Sequence, residues 1–350
     1  MDDQRRITQG ARFLMTAAAF VIVVAGMRAA GSIIVPFILS LFIAMLCSPL
    51  LSGLRKLKIP NALAVLIILA LILTIGLVLV TIVGTSINGL TQSLPTYQER
   101  ITAQTAFVIT WLKGLGLDVS VDIINEYFNP GRALRMAATT FSRLSGMLTN
   151  SFMILLTVIF LLLEASGLPP KLHAALNDPE ESLARFEKMS ESVNRYIGIK
   201  TLTSMATGIS IGLWLGIIGV DYPFLWALLA FLLNYVPNIG SIIAAIPAVL
   251  LALIQFGAGT ALITALGFVV VNVVVGSLIE PKFMGRGLGL STLVVFLSLV
   301  FWGWVLGPVG MLLSVPLTMI LKIALESNDD TRWIAIILGA GPPRETASNK

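Results

Sequence analysis

Apolar residues in this chain gather in long blocks instead of alternating with polar ones. Residues 13–27, 31–50, 62–85, 147–163, 201–220 and 258–279 are blocks of this kind. A helix crosses the hydrocarbon of a bilayer with about 20 mostly apolar residues, so each block predicts a membrane helix. Two further apolar stretches differ. Residues 224–253 are interrupted by Pro237-Asn238-Ile239-Gly240, and residues 292–325 by Gly307-Pro308-Val309-Gly310. Each is too long for one span and too short for two full spans with a loop. The expectation is a pair of broken elements that fold back, as re-entrant segments or unequal hairpins. Irregular backbone at membrane depth must lie against protein or a water-filled cavity, and it recurs at transporter binding sites. Phe231 and Gly240 also align with Phe301 and Gly310, with Pro247 within one residue of Pro316, which points to an internal repeat; the plainer alternative is that any apolar segment broken by Gly and Pro looks like this.

Connections follow from the breakers. Arg28-Ala29-Ala30 predicts a tight hairpin tip between the first two blocks, and Pro60 opens the third helix. Between 86 and 146 charged residues mix with apolar ones at helical spacing, as in Leu94, Tyr97 and Ile101, which predicts an amphipathic extramembrane region. Gly114-Leu115-Gly116 and Asn129-Pro130-Gly131 divide it. Residues 165–200 read as a polar helical loop, with Asp178-Pro179 as a helix start. The expected organisation is a three-span region at 1–85, the amphipathic region at 86–146, a fourth span at 147–164 and the loop at 165–200. A membrane region with the two broken elements follows at 201–326, then a tail at 327–350. The fold class is all-α and polytopic, with about eight membrane segments.

Composition supports this. Hydrophobic residues make up 57% and charged ones 12%, whereas soluble chains carry about 25% charged residues. The missing solvated surface must face lipid. The net charge of +5 comes without a basic patch interleaved with aromatics, so nucleic acid is excluded as a partner. The cations instead orient the spans: Arg5, Arg6, Arg12, Arg55, Lys56 and Lys58 place the N-terminus and first loop inside, and folding back of both broken elements keeps Lys282, Arg286, Lys322 and Arg332 inside as well. Both termini are then cytoplasmic. The N-terminal block lacks a cleavage site and reads as a retained helix. A lone Cys47 and a lone His173 make neither a disulfide nor a metal site, and no cofactor is expected.

Candidate chemistry is concentrated in the breaks. No phosphate loop, HExxH or nucleophile elbow occurs, so neither an enzyme nor an ATP-driven pump is expected. Around the first break, Asn234, Tyr235, Pro237, Asn238, Gly240 and Ser241 offer amides, hydroxyls and freed carbonyls for a polar solute; the plainer alternative is a turn that caps itself. Glu280 and Arg286 lie in a glycine-rich connection, where Glu280 can pair with a cation or exchange a proton, while the cations alone need only orient the protein. Asn272 stands in a run of valines and seeks an amide partner on another helix. Gly307, Pro308 and Gly310 are the gating candidates in the second break. Arg28 and Glu164 sit at span ends, where snorkelling accounts for them.

Three segments carry a resemblance: Asn-Tyr-Val-Pro-Asn-Ile-Gly-Ser at 234–241, Glu-Pro-Lys-Phe-Met-Gly-Arg-Gly-Leu-Gly-Leu-Ser at 280–291, and Gly-Pro-Val-Gly-Met-Leu-Leu-Ser-Val-Pro-Leu at 307–317. With Ile34-Val35-Pro36-Phe37 and Ile323-Ala324-Leu325-Glu326, they resemble the autoinducer-2 exporter family over residues 10–330. The resemblance implies an inner-membrane homo-oligomer, with a pentamer among the sizes it admits. It also implies export of autoinducer-2, a small furanone-derived polyol, in quorum sensing and biofilm control. Sodium/proton antiport, as in some relatives, is the alternative, and a non-transporting oligomeric scaffold the third. Antiport ordinarily wants ionisable groups inside the spans, and the sequence shows few there.

Overall fold

The structure is a computed structural model that describes residues 9–114, 151–164, 171, 179–237, 239–284, 289–327 and 330–340. Every element among the described residues is helical. The order is α1 (Gln9–Ala29), α2 (Gly31–Lys56), α3 (Asn61–Gly114), α4 (Ser151–Glu164), α5 (Pro179–Ile218), α6 (Pro223–Leu233), α7 (Gly240–Phe256) and α8 (Ala258–Val271). A π-helical segment (Asn272–Ile279) leads into α9 (Glu280–Met284), followed by α10 (Thr292–Leu312), α11 (Ser314–Glu326) and α12 (Arg332–Ile337). Among the described residues, five stretches are long and apolar enough to cross a membrane: Gly31–Lys56, Asn61–Ser93, Met189–Ile218, Ala258–Met284 and Thr292–Leu312. That criterion counts length and composition only, and Gly307 interrupts the last of them with φ 68° and ψ −152°. Large apolar side chains lie outward along the helices, Ile217 at 80% exposure and Phe152 at 77%. Water would not tolerate such a surface over this extent; lipid does.

Two compact units divide the chain. One comprises Leu46–Phe152 and Leu162–Leu288, the other Met1–Met45, Met153–Leu161 and Gly289–Lys350. In the first of these, α5, α6 and α7 enclose Ile211, Leu215, Leu225, Trp226, Leu251 and Ile254, all nearly inaccessible. Gly208 and Gly212, four apart on α5, allow α6 to approach closely. A Cβ on either would come within 2.9 Å of Ala227. Small residues at this spacing are a common way for membrane helices to pack, since hydrophobicity cannot drive association within lipid.

Both broken stretches turn back on themselves. In the first, α6 ends at Leu233 and α7 starts at Gly240, with Val236 N–H donating to Leu233 O at 2.8 Å and Gly240 N–H to Val236 O at 3.2 Å. A Cβ at Gly240 would sit 1.7 Å from Leu233 O. The second break, at Gly307 in the other unit, is built likewise: a Cβ at Gly310 would sit 2.1 Å from Trp302 O. The returning helix is bonded to the outgoing one by Trp302 Nε1–H donating to Thr318 Oγ1 at 3.0 Å. A carbonyl lies over a glycine in both breaks, seven residues before Gly240 and eight before Gly310, so the two contacts differ by one residue in register. In this unit α1 packs on α10, with the Phe20 and Phe301 rings stacked at 6.3 Å.

Three expectations need correction. The boundary drawn at Ser86 falls inside α3, which is continuous over the 54 residues Asn61–Gly114. The boundary between Lys200 and Thr201 falls inside α5, which runs on through Ile218. Helical hydrogen bonding is indifferent to the polarity change that marked both boundaries. Arg28 does not merely snorkel either: its guanidinium lies 4.5 Å from the centroid of the Trp304 ring, a cation–π contact. Glu164 pairs with Lys171. The expected turn at 129–131 lies outside the described residues.

Candidate functional site

The site grows from one face of α5. Tyr196, Lys200, Thr203, Ser204 and Thr207 recur at helical spacing and are all buried, Ser204 completely. Leu202, Met205, Ile209 and Leu213 on the opposite face are exposed. This is the inverse of a soluble amphipathic helix: the polar stripe faces protein and the apolar stripe faces outward. A cation on such a face needs a counter-charge, because burying an isolated ion is prohibitively costly.

Glu280 supplies that charge. The Lys200 Nζ lies 2.8 Å from Glu280 Oε1 and 2.9 Å from Oε2, with the lysine side chain 5% and the glutamate 15% exposed. Thr203 Oγ1–H adds a longer contact of 3.4 Å to Oε2. Tyr196 is buried within electrostatic reach of both Glu280 and Tyr235. Glu280 is held where the π-helical segment gives way to α9. π-helical turns are uncommon and are frequent at functional sites.

The first hairpin meets the same stripe. Asn234 Nδ2–H donates to Ser204 Oγ at 3.0 Å, and Tyr235 O–H donates to Thr201 Oγ1 at 2.8 Å. The edge of the Phe231 ring meets Tyr235 at 5.7 Å between centroids, fixing the phenol. The structure thus gathers Asn234, Tyr235 and Glu280 on α5, which neither a self-capping turn nor a solvated loop would do. Pro237 O accepts from Ile239 N–H in the turn. Gly240 gives the close approach, and Ser241 follows it, half-buried. Asn238 and Arg286 lie outside the described residues. Asn272 opens the π segment with its Oδ1 over Gly276 of its own helix. Among the described residues it makes no bond to another helix, so the expected interhelical amide contact is absent there. Gly307, Pro308 and Gly310 form the hairpin of the other unit.

Lys200 itself escaped sequence reading. The polar residues that precede it put it in the loop at 165–200 on sequence grounds, although its spacing from Tyr196, Thr203 and Thr207 traces one helical face. The pair is among the few ionisable groups of the spans, since Lys200 and Glu280 lie within Met189–Ile218 and Ala258–Met284.

A second polar cluster lies beyond the other end of α5. Tyr97 O–H donates to Asp221 Oδ2 at 2.7 Å, Asp221 N–H to Gln255 Oε1 at 3.1 Å, and Trp226 Nε1–H to Asp221 O at 3.0 Å. Tyr97 lies on α3 past its apolar portion. Burial first, and then the bond to Asp221, push its phenol well above the ordinary tyrosine range. These contacts tie α3, the α5–α6 connection and α7 together. No group of three or more His, Cys, Asp or Glu among the described residues could hold a metal.

Comparison with known proteins now bears on this arrangement. The AI-2E family transporter model matches residues 16–328. The AI-2 transport protein TqsA of Escherichia coli K12 is 43% identical over 94% of this chain and 96% of its own length. A Haemophilus influenzae protein named only for transport is 42% identical over 94% and 96%. YhhT of Escherichia coli K12, also named for transport, is 36% identical over 96% of each. The family and its relatives are transport proteins and not enzymes. Helices of spanning length, a polar stripe turned inward and a family match over nearly the whole length lead to one conclusion: the chain belongs to the AI-2E family of transporters and is a multi-pass membrane protein.

Proposed function

We propose that this protein exports autoinducer-2, or a closely similar small polyol, across the bacterial inner membrane without ATP. The observation that carries this reading is the similarity to the AI-2 transport protein TqsA along almost the full length of both chains. The chemistry agrees with it. A neutral polyol is recognised by hydrogen-bonding groups more than by charge, and Thr201, Ser204, Asn234 and Tyr235 present such groups where a hairpin meets a long helix. A solute made inside the cell flows outward downhill, which needs no nucleotide site. We place both termini in the cytoplasm on the distribution of Lys and Arg, and expect a homo-oligomer within the bilayer.

The test uses purified full-length protein in sealed liposomes loaded with autoinducer-2. Efflux above that of protein-free vesicles is expected, with loss of at least about tenfold in a Ser204→Ala/Asn234→Ala double variant, an effect of a size that removal of paired hydrogen-bonding groups produces. Absence of efflux from well-folded protein would overturn the reading. Sodium/proton antiport gains support from one observation, the Lys200–Glu280 pair inside the candidate spans. Proton movement driven by sodium, without signal efflux, would favour it.

A further inference from the structure

We propose that Glu280 is a coupling site at which a small monovalent cation from solution, a proton or an alkali ion, takes the place of the tethered ammonium of Lys200 during the transport cycle. This rests on the chain being a transporter and not on which solute it carries.

Three observations converge on it. The first is placement. A carboxylate and an ammonium both occupy candidate spans, where ionisable groups are expensive and mark ion or substrate pathways. A purely structural contact there would be served as well by apolar side chains, since buried ion pairs seldom add net stability.

The second is occupancy. Both carboxylate oxygens are taken by one Nζ, with Thr203 Oγ1 beside them. A cation arriving from solution meets the same two oxygens and competes with the Lys200 ammonium for them. Tyr196 on the same face of α5 is buried within electrostatic reach of Glu280, and the Asn234–Ser204 and Tyr235–Thr201 hydrogen bonds join the hairpin to α5 within four residues of Lys200. Lys282, the other cation on α9, is exposed and does not compete for the site. The exchange balances in charge: with a proton, the carboxylate becomes a carboxylic acid beside a free ammonium; with an alkali ion, one carboxylate–cation pair replaces another.

The third is a means of separation. Glu280 follows directly on the π-helical segment Asn272–Ile279. Conversion of a π turn to α geometry changes the register by one residue, which turns every following side chain by roughly 100° about the axis. Such a shift would carry Glu280 away from Lys200 without melting either helix.

The experiment uses full-length protein in sealed liposomes with a pH-sensitive dye inside and a potassium diffusion potential. One arm steps the external pH in sodium-free choline buffer, and the other exchanges sodium for choline at constant pH. Autoinducer-2 efflux is followed in parallel. Wild type should respond in at least one arm, which identifies the ion. Glu280→Gln should abolish that response. Lys200→Arg, a competitor with a bidentate fork, should require roughly tenfold more cation for the same response. Lys200→Met/Glu280→Gln leaves no buried charge unpaired, so it should fold with near-normal thermal stability yet show no response. A wild type flat in both arms, or a neutral double variant that keeps the full response, would overturn the proposal. Efflux of autoinducer-2 that is insensitive to both ions would leave the export reading standing while the coupling falls. A cation response through Glu280 without any signal efflux would do the reverse.

Discussion

Lys200 is the residue on which most depends. Removing its charge alone, as in Lys200→Met, leaves Glu280 buried and unpaired, and should cost about 3–5 kcal/mol of stability. Neutralising both partners should restore most of that loss, which thermal unfolding in detergent would show. The reason Lys200 was hard to see in the sequence is local. Glu187, Glu191 and Arg195 precede it, so the polarity of residues 165–200 looked like one loop. What decides its fate is which side of the helix it occupies, and that is visible only when residues are read at a spacing of three and four. Tyr97 gives a second test. Its folded-state pKa is raised above the unfolded value of about 10, so its contribution is complete below pH ~10. Above that, the unfolded chain ionises first and stability falls with rising pH. Tyr97→Phe should flatten this alkaline decline in a pH series of unfolding midpoints. It should also cost about 1 kcal/mol at neutral pH through loss of the bond to Asp221.

The helical elements were largely legible, and the hairpins most of all. Gly and Pro within an apolar stretch announce a break because one frees the backbone and the other removes a donor. What composition could not show is how tight each turn is. The carbonyls of Leu233 and Trp302 lie so near Gly240 and Gly310 that a methyl group cannot fit. Gly240→Ala and Gly310→Ala should each destabilise by at least about 3 kcal/mol, at the upper end of overpacking costs. Gly216→Ala, on α5 with open space around it, should be tolerated, and size-exclusion profiles of the three variants would separate them. The glycine pair Gly208 and Gly212 was missed for a different reason: four-residue spacing of small residues is cheap to find but gains meaning only when a partner helix is known. The region boundaries at Ser86 and Lys200 leave no mark on the backbone, because apolar and polar stretches share one continuous hydrogen-bond ladder in α3 and α5.

Taken as a membrane protein, the chain has two kinds of helix that meet the bilayer differently. α2, the apolar part of α3, and α5 are long enough to reach from one interface to the other. The shorter arm of each hairpin, α6 or α11, is not. At 1.5 Å per residue, the 11 residues of α6 reach about 17 Å and the 13 of α11 about 20 Å, against a hydrocarbon thickness of ~30 Å. Lipids around such arms must shorten or tilt, at a cost of fractions of a kcal/mol per Å. Bilayer thickness therefore becomes a mechanical input to the protein: efflux from liposomes of short-chain lipids should exceed that from long-chain ones, and a series of acyl lengths at fixed headgroup would measure it. Two pairs of glycines and prolines, placed to fold a stretch back on itself, would then make the transporter respond to the dimensions of the membrane that holds it.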